Sequence, residues 1–282
     1  MMKPVPTCQR QRGFTLVELI MVIVIMGVIG GMVSVFMKSP IDAYFASGRR
    51  AALTDVADTV VRRMARDIQR ALPNSIRTSG SNCLEFIPTK TGGRYRTADN
   101  LAGDSLNFAA ADTTFNMLGS NSALPAAQRI ASGDLIVVYN LGPGINDAYA
   151  GDNVTAVSAA PSEPPAYTPA ETVIPISGFK FPLESGTSRF HVVESTERLV
   201  SYSCIGSKLY RNVNASSFVS RCADTSAIFA DNVDCGSTKT WFNYSGSDLH
   251  RNALVSMTMT VQDSSGTESV TLQHEVHVSN TP

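Results

Sequence analysis

The feature that most constrains this chain is one long apolar segment close to its N-terminus. Residues 14–37 read FTLVELIMVIVIMGVIGGMVSVFM, with Glu18 as their one charged residue. As a helix, about 24 residues rising about 1.5 Å each would reach about 36 Å, enough to cross the apolar core of a bilayer. Arg10 and Arg12 precede the segment and Lys38 follows it. The positive-inside rule therefore predicts a cytoplasmic N-terminus and an exported remainder.

Two simpler interpretations of the segment compete, a secretory signal peptide and a plain membrane anchor. The segment is longer than a usual signal-peptide core, and no small-x-small cleavage site follows it. A plain anchor does not account for Glu18, because a carboxylate deep in a membrane helix costs about 3 kcal/mol, although less near the helix end. Since the sequence contains one such segment, we expect the partner of Glu18 to come from another chain.

The start of the segment resembles a known processing site. The run RGFTLVEL (residues 12–19), after a short basic leader, is similar to that of type IV prepilins and of the pseudopilins of type II secretion. The resemblance implies cleavage between Gly13 and Phe14 by a prepilin peptidase/methyltransferase, and N-methylation of the new Phe14 amine. It also implies that Glu18 pairs with the N-terminal amine of a neighbouring subunit during assembly. The two charges would compensate each other at membrane depth.

The apolar segment also departs from many major pilins, which carry a proline in its middle. Gly27, Gly30 and Gly31 occur there instead, and the first proline after the cleavage site is Pro40. Glycines soften a helix or let helices pack closely. Pro40 predicts a kink or a fresh helix start.

A second helical stretch follows the apolar segment. Its apolar residues recur at three- and four-residue spacing, which predicts an amphipathic helix that docks on a globular head. We favour solvation over acidic filament partners for its arginines, and expect the helix to end near Pro73-Asn74, giving with the apolar segment one rod of roughly 90 Å. The apolar residues are Leu53, Val56, Val60, Met64, Ile68 and Leu72. The charged residues on other faces are Asp55, Asp58, Arg62, Arg63, Arg66 and Arg70.

Beyond Asn74, short β-forming runs alternate with turn residues, which predicts a β-rich head. The clearest signal is a C-terminal hairpin, in which apolar and polar residues alternate along 255–261 and 270–278 around a turn at 263–266. Residues 109–131 and 142–175 are interpreted as loops, the first with a helical turn. The other predicted strands are 83–88, 106–108, 134–141, 179–182, 190–194, 198–204 and 208–211.

Four cysteines lie in the predicted head and a fifth, Cys8, lies in the leader. An even number in an exported domain predicts disulfides in one of three connectivities, with buried thiols as the alternative. The spacing suits a local loop between Cys204 and Cys222 or between Cys222 and Cys235, and we expect Cys83 outside the local pair.

Two stretches have the residue types of metal sites. His274-Glu275-Val276-His277 is one residue short of the zinc-protease spacing, and in a strand its histidines point to opposite faces, so we expect no metal there, His274 packed in the sheet and His277 exposed. A loop rich in side-chain oxygens makes calcium the one cofactor that the sequence leaves open. Its residues are Asn146, Asp147, Asp152 and Asn153.

The resemblance extends beyond the leader to stretches at both ends of the chain. With these stretches the chain resembles a large minor pilin of mannose-sensitive haemagglutinin (MSHA) type pili. They are residues 49–55 (RRAALTD), 62–67 (RRMARD), 71–75 (ALPNS) and 274–280 (HEVHVSN).

These observations predict a pilin-like α+β protein. Its expected parts are a leader (1–13), a transmembrane and filament-core helix (14–37), an amphipathic helix (38–73) and a periplasmic β-rich head (74–282).

The expected function is that of a minor pilin, anchored by a single pass in the inner membrane, that helps to start or assemble a type IV pilus near its tip. The resemblance implies major and minor pilins and the inner-membrane assembly platform as partners. The alternatives are a type II secretion pseudopilin and a tip adhesin that binds a surface ligand. An enzyme is disfavoured because no convergent set of titratable groups is evident. The balance of 23 basic and 24 acidic residues lacks the excess typical of nucleic-acid binding.

Overall fold

The computed structural model describes residues 13–99, 103–165, 170–245 and 252–282, so the predicted leader up to residue 12, with Cys8, lies outside the described residues. Within these ranges a long helix, α1 (Leu16–Ile68), is followed by short antiparallel strands, which confirms the α+β class. The chain divides into two compact units, Met1–Ala51 and Ala52–Pro282.

Helix α1 has 53 residues and continues through Pro40, so the predicted fresh start there is wrong. An interior proline removes one backbone hydrogen bond, and the helical residues on both sides retain theirs. The helix ends at Ile68 rather than near Pro73. The chain then leaves the helical path because the N–H of Leu72 donates to the carbonyl of Ile87, at 2.8 Å.

The strands form four antiparallel sheets in the described part of the chain. Their orders are β1-β2-β9-β10-β11, β3-β8-β5-β6, β12-β13-β14 and β4-β7. A 3-10 helix spans Ala126–Gln128. In chain order the strands are β1 (Arg77–Thr78), β2 (Cys83–Phe86), β3 (Thr91–Arg94), β4 (Asp112–Leu118), β5 (Leu135–Val138), β6 (Val154–Ala156), β7 (Glu171–Phe179), β8 (Arg189–Val193), β9 (Leu199–Ile205), β10 (Lys208–Asn214), β11 (Ile228–Asp231), β12 (Trp241–Ser245), β13 (Asn252–Gln262) and β14 (Ser269–Ser279).

Several strand predictions need correction. Residues 106–108 form no strand, and of residues 179–182 only the first belongs to one. The two predicted loops contain β4, β6 and the start of β7. Strand β4 was not predicted, because Phe115, Asn116 and Met117 are buried in succession and the strand therefore lacks the alternation that marks a half-buried strand.

The C-terminal hairpin forms as predicted. Val255 lies opposite Val276, and Met257 lies opposite His274. His277 is exposed as expected, but His274 is also exposed, so its predicted packing is wrong. Strand β14 is the edge of its sheet, where only residues such as Val276 reach the core.

The amphipathic part of α1 packs on the head through one face. Its buried residues share a core cluster with strands β2, β9 and β13, which confirms the predicted docking face. Val56 is an exception, with 47% of its surface exposed, whereas the neighbouring Ala57 is fully buried. The small alanine lets the helix backbone approach the sheet closely. The buried helix residues are Ala57, Val60, Val61, Met64, Ala65 and Ile68.

This packing predicts opposite outcomes for two residues of the same apolar stripe. Met64→Ala should lower the free energy of unfolding by about 2–5 kcal/mol, because Met64 is 1% exposed and its loss leaves a cavity. Val56→Ala should stay within about 0.5 kcal/mol of the parent. Urea unfolding of the full chain in detergent, followed by circular dichroism, measures both. Equal losses in the two variants would contradict the docking face.

Two disulfides link the four cysteines of the head. Cys204 bonds to Cys235 across 31 residues, and Cys83 bonds to Cys222 across 139. Neither local loop considered from the spacing forms. The sheet decides the pairing. Strand β10 lies between β9 and β11, and Lys208 at its start pairs with both Ile205 at the end of β9 and Asp231 at the end of β11, so both ends lie at the same edge of the sheet.

We expect the Cys204–Cys235 bridge to stabilise the head appreciably. Replacing both cysteines with serine should cost about 3–4 kcal/mol, since a loop of 31 residues then opens in the unfolded chain. Guanidinium unfolding of parent and variant, each with and without reductant, gives the comparison. If the reduced and oxidised parent unfold at the same denaturant concentration, the bridge contributes nothing.

Candidate functional site

Thr15 and Glu18 form a reciprocal set of hydrogen bonds at the start of α1. The Glu18 N–H donates to Thr15 Oγ1 at 3.3 Å, and the Thr15 N–H donates to Glu18 Oε2 at 3.4 Å. The Thr15 hydroxyl also donates to Glu18 Oε2, at 3.4 Å. This is a capping box, which satisfies amide groups that lack partners in the first helical turn. Its T-x-x-E spacing was visible in the sequence and was missed. The box gives Glu18 neutral hydrogen-bond partners in its own first turn, and the expected charged partner from another chain stays a prediction.

The predicted cleavage junction lies immediately before this cap. Gly13 and Phe14 precede the helix, and Phe14 is 84% exposed. A side chain added at Gly13 would meet no atom within 4 Å. The fold therefore does not require glycine at this position. If glycine is required here, the requirement would come from the peptidase that recognises the junction.

The first part of α1 presents an apolar surface on its described side chains. The large apolar residues between Phe14 and Met37 are between 48% and 85% exposed. Among the described residues, α1 is the one helix with the length and composition to cross a membrane. An apolar surface of this extent marks a lipid or protein contact rather than a water-facing surface.

The loop after β5 contains a buried network of asparagines. Asn153 Nδ2 donates to the Asn146 carbonyl at 3.0 Å and to Asn140 Oδ1 at 3.4 Å. Asn146 Nδ2 donates to the carbonyls of Val138 and Tyr139. In the described part of the chain, the Oδ1 atoms of Asn146 and Asn153 are buried and accept no hydrogen bond. A buried acceptor without a partner costs about 1–3 kcal/mol, which a water or a cation would offset.

The calcium expectation for this loop stays a prediction. If calcium binds, millimolar CaCl₂ should raise the midpoint of thermal unfolding, by an amount equivalent to about 2.7 kcal/mol at a hundredfold excess over the dissociation constant. The Asp147→Asn/Asp152→Asn variant should lose this response, and MgCl₂ at equal ionic strength serves as the control. An unchanged midpoint in calcium would rule the site out.

The histidine pair that is one residue short of the zinc-protease spacing lies on β14, with its two side chains on opposite faces. Among the described residues, one group of three His, Cys, Asp or Glu side chains has its ligand atoms within 4.8 Å of one another: Cys83, Glu85 and Cys222. Its two sulfur atoms form a disulfide, and Glu85 accepts hydrogen bonds from Ser201 at 2.9 Å and Arg77 at 3.2 Å. These contacts give the group a structural role.

Comparison with known proteins bears on the N-terminal region. Residues 8–34 match the family model described as the prokaryotic N-terminal methylation motif. No curated protein and no solved structure gives a significant match. The apolar helix and this motif together suggest a membrane-anchored protein, and the motif suggests a structural subunit rather than an enzyme.

More narrowly, the motif indicates a type IV pilin-like prepilin. It implies processing by a prepilin peptidase and assembly with other pilins. The head lies outside the matched residues.

Proposed function

We propose that the protein is a minor pilin that helps to start or assemble a type IV pilus, at or near the tip. The observation that carries this proposal is the position of Glu18, in the capped first turn of an exposed apolar helix and directly after the processing junction. The head supports a low-copy position, because four sheets and two disulfides make a bulky unit that suits a filament end better than a close repeat. The resemblance to a large MSHA-type minor pilin supports the same role.

Cleavage after Gly13 would place the new Phe14 amine next to the capping box. In the intact chain, Glu18 accepts hydrogen bonds from the neutral amide and hydroxyl of Thr15. A protonated amine from a neighbouring subunit is a stronger donor, since charge-assisted hydrogen bonds are roughly twice as strong as neutral ones. Exchanging the local partner for this amine would join two subunits within apolar surroundings, where either charge alone is costly.

The proposed location follows from the same elements. The apolar part of α1 anchors the chain in the inner membrane until assembly, with the head in the periplasm. Disulfides are typical of such an oxidising compartment. The partners are then major and minor pilins and the assembly platform. A type II secretion pseudopilin would share the processing and the anchor, and the fraction in which the protein accumulates distinguishes the two.

Two substitutions of Glu18 separate subunit pairing from helix capping. Glu18→Gln retains an acceptor for the cap but removes the charge, whereas Glu18→Ala removes both. If the charge pairs with a neighbouring amine, both variants should be processed to a chain that begins at methylated Phe14, and both should be depleted from the sheared pilus fraction by about tenfold or more. Intact mass and immunoblotting of membrane and pilus fractions provide the measurements.

The results for the parent and the Glu18 variants distinguish subunit pairing from helix capping, and a pilus from a secretion pseudopilus. Normal incorporation of Glu18→Gln with loss of Glu18→Ala would reduce Glu18 to a helix cap. An intact Met1 in the parent would remove the basis for the filament role. Accumulation in a secretion pseudopilus instead of a surface pilus would replace the proposed system with the alternative one. Phe14→Leu changes a residue of the junction but leaves Glu18 in place. It is the matched control that separates the loss of Glu18 from a general effect of a substitution near the junction.

A further inference from the structure

A groove on the head lies along strands β3 and β8. Its volume is about 470 Å³, within the range of small-molecule sites. Hydroxyl, glycine, guanidinium and imidazole groups surround it, and it has no acidic side chain in its lining. The polar lining includes Thr89, Thr91, Gly92, Arg94, Arg189 and His191.

Two arginines of this lining are cross-strand neighbours. Arg94 on β3 is paired directly with Arg189 on β8 in the antiparallel register. Like charges in directly opposed positions destabilise a strand pair. Both residues are exposed, and among the described residues neither forms an ion pair. The two guanidinium groups therefore lack the counter-charge that the fold supplies to other arginines of the head.

His191 lines the same groove, with its Nδ1 on the side of Gly92. Its Nε2 is buried and has no hydrogen-bond partner in the described part of the chain. Burial, assisted by the charge of Arg189, lowers the pKa of His191 to about 4, so the ring is neutral at pH 7. A neutral imidazole can donate or accept one hydrogen bond to a ligand without adding a third positive charge.

Glycine keeps the groove open beside this histidine. Gly92 lies opposite His191 in the strand register. A side chain at Gly92 would place its Cβ 2.9 Å from the carbonyl oxygen of Phe190 and 3.6 Å from His191 Nδ1. Any larger residue would therefore clash with β8 and cover the imidazole. The opening is a consequence of the local sequence rather than a gap between distant loops.

We propose that this groove binds an anionic ligand of monosaccharide size, with its carboxylate or phosphate between Arg94 and Arg189 and a polar group beside the imidazole of His191. Guanidinium groups suit both anions because their planar N–H pairs match two oxygens at once. The ligand chemistry fits a sugar acid of a surface polysaccharide as well as a phosphorylated small molecule. Such binding is additional to filament assembly and does not depend on Glu18.

Isothermal titration of the full chain in detergent tests the groove directly. The probes are D-glucuronate, its neutral counterpart D-glucose, and inorganic phosphate, all at constant ionic strength. We expect glucuronate to bind, and glucose to bind about tenfold more weakly or not at all, since it lacks the charge. Phosphate binding as tight as that of glucuronate would assign recognition to the anion itself. Binding of glucuronate alone would assign part of it to the sugar ring.

Variants then locate the site. Arg94→Gln/Arg189→Gln should weaken glucuronate binding by about tenfold or more, whereas Arg66→Gln, at another exposed arginine, should leave it unchanged. The double variant should unfold at no lower temperature than the parent, because it removes a like-charge pair. If the double variant nevertheless fails to fold, glucuronate binding by the single variant Arg94→Gln tests the site. Equal affinity for glucose and glucuronate, unchanged binding in the variant, or no binding of either anion would overturn the proposal.

Discussion

The packing of one face of α1 against the head is the contact on which the rest of this structure depends. Met64 and Ile68 are almost fully buried against strands that come from distant parts of the chain. A polar network flanks them, in which Asp67 Oδ2 accepts hydrogen bonds from the Tyr202 hydroxyl and Arg211 Nε, each at 2.8 Å. Burial raises the pKa of Tyr202, so its hydroxyl stays protonated and remains a donor at neutral pH. Helix and sheet are thus held by both apolar contact and directed hydrogen bonds.

The two parts of α1 share one continuous backbone, but their apolar side chains have different surroundings. The part up to Met37 exposes apolar side chains and needs an apolar environment from outside the chain. The later part finds that environment in its own head. The capping box at Thr15 and Glu18 lies after the proposed cleavage junction, so a chain cleaved after Gly13 would retain both of its residues. The carboxylate that caps the helix is also the group that the prepilin resemblance assigns to subunit pairing.

Two arginines that are close in the sequence have different partners in the head. Arg96 forms an ion pair with Glu171, which also accepts a hydrogen bond from Asn116 at 2.8 Å. Burial alone would raise the pKa of Glu171, but these hydrogen bonds outweigh it and hold the pKa below its ordinary value. Arg94, two residues away, has its like-charged neighbour Arg189 instead of a carboxylate. This contrast underlies the proposal of an anionic ligand at the groove between β3 and β8.

The sequence by itself determined the long apolar helix, the prepilin-like motif, the docking stripe and the C-terminal hairpin. Each is a local pattern: an unbroken apolar run, a short motif, a three- to four-residue period or a two-residue alternation. The same local reasoning could have found the capping box from its spacing. It also placed Met64 and Ile68 in the core correctly, because helical periodicity defines a face without knowledge of the partner.

Tertiary structure alone decided the features that depend on residues far apart in the chain. Cys83 meets Cys222 because long-range strand pairing sets the sheet order, which spacing cannot reveal. The centre of strand β4 is buried on both faces and so lacks a periodic signal, and His274 is exposed because β14 lies at a sheet edge. Arg94 and Arg189 are 95 positions apart, and only the register of β3 with β8 places them opposite each other. Local patterns specify which residues an element buries, whereas the pairing of elements specifies which side chains meet.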